Sequence, residues 1–182
     1  MEAIQTDRLV LRNFRDGDAA DLYAYLRDPS ASCFYSLRLK DMDAAKKEVE
    51  ERGRNDEYIA VCLRASGQVI GDLFAMDEED TFSVGWNFNA DFGGHGYALE
   101  AASALIAYLF TVKNVRRLYA YVEDHNIRSQ RLCQKLGMRQ EGLFVEYVSF
   151  RADAAGNPIY ENTMQYAILR KEWDAQQSVA KT

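Results

Sequence analysis

"NADFGGHGYALEA", residues 89–101, puts Gly93, Gly94 and Gly96 within four positions, directly ahead of a helical run. In "GYALEAASALIAYLFTVKN" (96–114), Ala98, Ala102, Leu105, Ile106 and Leu109 recur at helical spacing. The preceding "DTFSVGWNFN" (80–89) is aromatic and β-branched, as a strand is. The segment is therefore strand, glycine loop, helix. The first N–H groups of a helix have no intrahelical partner and carry partial positive charge, so they suit phosphate. Glycine removes the Cβ that would keep a bulky anion away, and it permits positive φ. Two readings stand at this point, a pyrophosphate cradle and a plain turn, because a lone glycine loop is a weak signal. A P-loop is excluded, since Tyr97-Ala98 stands where Lys-Ser/Thr is needed. A dinucleotide fold carries its glycines after the first strand, and here three or four strands come earlier.

Outward from this loop, "RLVLRNF" (8–14) alternates as a half-buried strand does. Asp16 or Asp18 caps a helix in "DAADLYAYLRD" that ends near Asp28-Pro29, and "DMDAAKKEVEERG" (41–53) is a second helix. "EYIAVCLRASGQVIGDLFAM" (57–76) is two strands about a turn at Ala65-Ser66-Gly67. After the central helix come a strand "RRLYAYVED" (116–124) and a helix "NIRSQRLCQKLG" (126–137). Asn126 is its N-cap, and Ser129 lies in its first turn. "EGLFVEYVSFRA" and "PIYENTMQYAIL" close the chain as a hairpin around Asp153 to Asn157. The order predicts an α/β fold with a mixed sheet of about seven strands and about four helices on both faces, not a doubly wound parallel sheet. One domain over 1–174 and a frayed tail over 175–182 are expected.

At 182 residues and 48% hydrophobic, the chain can bury one sizeable core. A net charge of −6 argues against a nucleic-acid binder. No stretch approaches the ~18 apolar residues of a membrane span. "MEAIQTDRLVLRNF" is too polar for a signal peptide. Cys33, Cys62 and Cys133 are far apart, and His95 and His125 are the only histidines, so no metal site is expected and a reduced, cytoplasmic chain is. No internal repeat or low-complexity segment is present.

Five segments in order resemble the GNAT family of N-acetyltransferases, in the branch of ribosomal-protein N-terminal acetyltransferases (the RimJ/RimL type). "TDRLVLRNF" resembles the family's first strand, and "GQVIGDL" its G-x-x-I-G segment. "VGWNFNADFGGHGYALEA" resembles its I-G-Y…G-K-G-Y-A-T-E-A run. "RLYAYVEDHNIRSQRLCQKLGMRQEG" resembles its N-x-x-S…K-L-G-F segment, and "YENTMQYAILRKEW" its closing strand. The resemblance implies a twisted mixed sheet, splayed at its fourth and fifth strands, with acetyl-CoA in the gap. It puts the pyrophosphate on Gly94, His95, Gly96, Tyr97, Ala98 and Leu99. Trp86, Asn87 and Phe88 would bind the pantetheine arm through backbone groups. An N–H there would stabilise the charge that grows on the thioester oxygen. Asn126 matches the asparagine that bonds pantetheine, and Ser129 lies near the sulfur, where it can hydrogen-bond the leaving thiolate.

Acetyl transfer to a primary amine follows as the expected reaction, and the attacking nitrogen must be neutral. The chain departs from the family at the polar positions. Ser83 stands for a frequent Glu, Gly93 for Gln or Arg, Leu99 for Thr, Cys133 for an acidic Tyr, Asn162 for Asp, and His95 for Lys or Arg. Glu146 is a candidate base. Glu100 reads as helix-dipole pairing, and "MDEEDT" (76–81) as a solvated turn. Tyr35, Tyr147 and Tyr160 are candidates to line the acceptor site, which accepts a protein N-terminus or a small amine. Rival readings are another acyl-CoA donor and a catalytically weak acyl-CoA-binding regulatory module. A homodimer is left open.

Overall fold

The computed structural model describes residues 1–29 and 31–179. Its strands are β1 (Ile4–Gln5), β2 (Leu9–Arg12), β3 (Tyr58–Leu63), β4 (Val69–Glu78), β5 (Thr81–Phe88), β6 (Arg117–Glu123), β7 (Arg139–Ala152) and β8 (Pro158–Leu169). Its helices are α1 (Ala19–Leu26), α2 (Met42–Gly53), α3 (Tyr97–Thr111), α4 (Ile127–Lys135) and α5 (Arg170–Val179). Hydrogen-bonded strands follow the order β1-β2-β3-β4-β5-β6-β8-β7. The β5–β6 pair is parallel, from Thr81↔Arg117 to Ser83↔Tyr119, while β2–β3 and β6–β8 are antiparallel. The sheet is mixed, as the element order predicts.

Two compact units make up the chain. The first joins Met1–Ala75 to Gly85–Ala104. Here α1 and α2 pack their apolar stripes on the strands: Leu22, Tyr25 and Leu26 meet Ala45, Val49, Ala60, Cys62 and Val69 in one buried cluster. Asp41 caps α2 by accepting from the Ala44 N–H at 2.8 Å. Under this layer lies a buried polar group. Asp72 on β4 accepts from Tyr25 Oη at 2.8 Å and faces Arg52 Nη1 at 3.2 Å. Arg52 also bonds Glu48 and lies over the Tyr58 ring at 4.4 Å. Burial raises the Asp72 carboxyl above its ordinary range, against the opposing pull of Arg52.

The second unit holds Met76–Val84 and the chain from Leu105 onward. Along β6, Leu118, Ala120 and Val122 are buried, whereas Tyr121 is exposed. β7 and β8 form a long hairpin, turned at Asp153, whose carboxylate accepts from the Ala155 and Asn157 N–H groups. β7 is irregular, and its register with β8 shifts between Phe144 and Val148.

Two elements escape the sequence. β1 is a two-residue strand on β2. The expected frayed tail begins at Ala175, but α5 carries through Val179; residues 180–182 lie outside the described residues. Its anchors are distant in sequence. Trp173 packs on Phe110 with ring centroids 5.4 Å apart, and Gln176 Nε2 donates to the Gly137 carbonyl at 3.3 Å.

Arg52 is 2% exposed, and its removal would leave Asp72 charged and buried. Arg52→Leu is expected to cost about 3–5 kcal/mol, read from the midpoint of a urea melt.

Candidate functional site

β5 ends at Phe88, and the chain turns at once. Asn89 N–H donates to the Ile70 carbonyl at 3.0 Å, and its Oδ1 accepts from Asp91 N–H at 3.0 Å. A 3-10 turn over Ala90–Phe92 leads into the glycines. Gly94 and Gly96 both hold φ +81, where a side chain is strained. A Cβ on Gly94 would meet nothing within 4 Å, and one on Gly96 only Arg8 Nη2 at 3.6 Å. The space over the loop is therefore open. The first helical bond of α3 runs from Glu100 N–H to the Gly96 carbonyl at 3.1 Å. The N–H groups of Tyr97, Ala98 and Leu99 precede that bond, so they have no carbonyl within the helix to meet. Open space beside glycine backbone and free donors fits a pyrophosphate.

The loop is held from outside. Glu100, in the first turn of α3, accepts from Thr6 Oγ1 at 2.6 Å, from Arg8 N–H at 2.9 Å and from Arg8 Nε at 2.7 Å. Arg8 Nη1 donates to the His95 carbonyl at 3.0 Å, and the guanidinium lies 4.6 Å from the Tyr97 ring centre. Arg8 is thus a site residue that the sequence reading left without a role. It places a guanidinium beside a loop whose own position 95 is His instead of Lys or Arg. The pair is 92 residues apart, so no local pattern marks it. Burial pushes the Glu100 carboxyl up, but the bonds from Thr6 and Arg8 outweigh it and hold it below its usual range.

The end of β5 is tightly packed. A Cβ on Gly71 would lie 2.5 Å from the Asn87 carbonyl oxygen and 2.9 Å from Phe88 Cα, so only glycine fits there. Asn87 is 7% exposed, and its Nδ2 is buried without a hydrogen-bond partner. The sequence reading used only the backbone of Trp86, Asn87 and Phe88; the side-chain amide of Asn87 is an additional donor. Tyr35 also belongs to this unit, exposed on a 3-10 turn over Ser32–Leu37.

The other candidates lie in the second unit. Asn126 caps α4. Its Oδ1 accepts from Ser129 N–H at 3.2 Å, and its Nδ2 donates to buried Glu123 at 3.2 Å. The capping reading of Asn126 therefore holds, and one lone pair and one N–H of its amide are left for a ligand. Ser129 is half-buried in the first turn of α4. Glu146 is exposed and sits at φ +50. Its N–H donates to Asn162 Oδ1 at 2.9 Å, and Asn162 Nδ2 donates to Asp124 at 2.8 Å. Tyr147 packs with Tyr121 and Phe144, whereas exposed Tyr160 pairs with Ser149 and is not one of those rings.

Two departures acquire a structure. Cys133 is fully buried, and burial pushes its thiol up to about 12, so it stays protonated at neutral pH. Tyr119, paired with Ser83 across β5 and β6, donates its hydroxyl to both oxygens of Glu78 at 2.8 Å. Within the segment 76–81, residues 76–80 are exposed and the chain turns at Glu79-Asp80, while Glu78 ends β4 and holds a partner across the sheet. Burial first, then the bond to Glu78, pushes the Tyr119 phenol up to about 12. Among the described residues, no group of three His, Cys, Asp or Glu is arranged to hold a metal, and no helix is long and apolar enough to cross a membrane.

Residues 8–139 match the acetyltransferase (GNAT) domain family, and the chain belongs to that family. It is 33% identical to the uncharacterized N-acetyltransferase YnaD of Bacillus subtilis (strain 168), over 94% of this chain and 99% of the relative. A GNAT-family acetyltransferase from Bacillus anthracis superposes with a TM-score of 0.83 at 26% identity, covering 93% of this chain and 99% of that one. A ribosomal-protein-S5-alanine acetyltransferase from Vibrio fischeri shares the fold, with a TM-score of 0.72 at 16% identity over 95% and 99% of the two chains. The protein is an acyltransferase of the GNAT fold.

The Glu100 brace makes a pH-dependent contribution. Its carboxyl is depressed in the folded state, so the stabilisation is complete above the unfolded pKa and is lost as pH falls through the folded one. Glu100→Gln is expected to lose about 1 kcal/mol at pH 7, after solvent screening. The gap to the wild type should close in urea melts taken below the usual carboxyl range; a gap constant with pH would refute the brace.

Proposed function

We propose that the protein transfers an acetyl group from acetyl-CoA directly to a primary amine. The observation that carries this is the open, positive-φ Gly94–Gly96 loop ahead of the free N–H groups of α3, within a GNAT domain. Acetyl-CoA supplies an activated thioester. Gly94, His95, Gly96, Tyr97, Ala98 and Leu99 would receive its pyrophosphate, with Arg8 adding positive charge. Trp86, Asn87 and Phe88 offer backbone groups to the pantetheine arm and to the thioester oxygen, whose negative charge grows during attack. The buried Asn87 amide is a donor of the same kind. Asn126 retains bonding capacity toward pantetheine, and the Ser129 hydroxyl would stabilise the departing thiolate.

A carboxylate must take the ammonium proton, directly or through water, before attack. Glu146 is the base that the sequence offers. The acceptor is a protein N-terminus or a small amine. A cytoplasmic setting fits the buried thiols of Cys62 and Cys133.

Calorimetric titration with acetyl-CoA, CoA and dephospho-CoA tests the donor, and thiol release across an amine panel tests transfer. Micromolar acetyl-CoA binding with amine-dependent CoA release is expected. Gly94→Asn tolerates positive φ but fills the open space. It should fold normally and bind acetyl-CoA at least about tenfold more weakly, a loss of ~1.4 kcal/mol. Gly94→Val adds strain of ~1–2 kcal/mol and should lose both stability and binding. Unaltered binding by a folded Gly94→Asn would remove the cradle. Acetyl-CoA binding without transfer to any amine would favour a regulatory module.

A further inference from the structure

Four aromatic rings gather on the second unit. Tyr119 and Tyr121 are two residues apart on β6, with centroids 5.4 Å apart and planes at 75°. Tyr121 lies 6.1 Å from Phe144 and 6.0 Å from Tyr147, and those two are 5.0 Å from each other. These rings are not core. Tyr121 is 45%, Phe144 38% and Tyr147 53% exposed, while the alternate β6 residues Leu118, Ala120 and Val122 are buried.

The backbone is distorted to hold Tyr147 there. β7 loses register with β8 between Phe144 and Val148, and Glu146 within that break takes a left-handed φ of 50°. Such a conformation costs about 1–2 kcal/mol for a residue with a side chain. The Asn162 amide holds it, by accepting from Glu146 N–H and donating to Asp124.

The charge around the rings is specific as well. Tyr119 donates to both oxygens of the Glu78 carboxylate, and Glu146 lies between the two β7 rings in sequence. One cation already uses a face of this row, Arg117, 6.0 Å from the Tyr119 ring centre and held by both oxygens of Glu141. Ring faces are electron-rich, and a cation over them gains ~0.5–2 kcal/mol. The protein carries a net charge of −6, which favours a cationic ligand further.

We propose that the Tyr121–Phe144–Tyr147 platform, with Glu78 on Tyr119 beside it, binds the alkylammonium part of a cationic acceptor. The inference rests on the acetyltransferase reading and names the substrate class. The attacking nitrogen must be neutral, so a nitrogen held as a cation on the rings is not the one acetylated. The acceptor is thus a primary amine that carries a second positive charge. Asn162 is a positioning residue, acting through the β7 break.

Choline and its uncharged isostere 3,3-dimethylbutan-1-ol are the probes, titrated against the full protein without acetyl-CoA and followed by the aromatic NMR signals. Choline should shift the Tyr and Phe signals and bind about tenfold more tightly than the isostere, a gap of ~1.4 kcal/mol within the cation–π range. Tyr147→Leu and Asn162→Leu should each abolish that gap, and their dispersion of backbone signals reports whether they are folded. In the transfer assay, primary amines bearing a quaternary ammonium should exceed neutral-tailed primary amines about tenfold in kcat/KM. Tyr147→Leu should raise their KM without changing acetyl-CoA affinity. Equal shifts by the two probes, or none, would overturn the inference. So would a dimer that Phe144→Ala dissociates without any cation discrimination. Choline selectivity in a protein that fails to bind acetyl-CoA would instead sink the donor reading and leave a cation site.

Discussion

One carboxylate, Glu100, organises the glycine loop. It gathers donors from Thr6 and from the backbone and guanidinium of Arg8, at the end of a helix where negative charge is already favoured. Glycine-rich segments lose more conformational freedom on folding than any others. Side chains within the loop would restrain it but would also fill the space it keeps open. The Arg8–Glu100 pair resolves that conflict by restraining the loop from β2 and from α3. Arg8 also bonds the His95 carbonyl directly.

The polar positions where this chain departs from its family are not simply blank. Ser83 lacks a carboxylate, yet it pairs across the strands with Tyr119, whose hydroxyl bonds Glu78. Asn162 lacks the charge of Asp, yet its amide both donates and accepts, which a carboxylate cannot do. That dual capacity ties Glu146 to Asp124 across the β7 break. Cys133, in contrast, is fully buried, and burial pushes its thiol up to about 12.

Much of the fold was legible along the chain. The β8 bounds, Pro158–Leu169, and the α4 limits, between the Asn126 cap and Gly137 at φ +75, follow from turn and cap chemistry within a few residues. α5 was missed because it is polar and its anchors, Phe110 and Gly137, are remote. The same reason hid Arg8 and Glu78, whose partners lie 92 and 41 residues away. Asn126 shows the converse: a local signal, capping, accounts for the bond its Oδ1 accepts from Ser129 N–H.

By itself, the sequence determined the strand–glycine–helix unit and the mixed sheet, because periodicity, caps and glycine spacing act over a few residues; the family was legible only as a resemblance of whole segments in order. Only the tertiary structure decided that Gly94 and Gly96 open onto free space, that Arg8 braces them, and that Tyr121, Phe144 and Tyr147 form one platform. Those are contacts between distant segments, set by strand register and by the break in β7 pairing between Phe144 and Val148, and neither register nor its breaks are written in local composition.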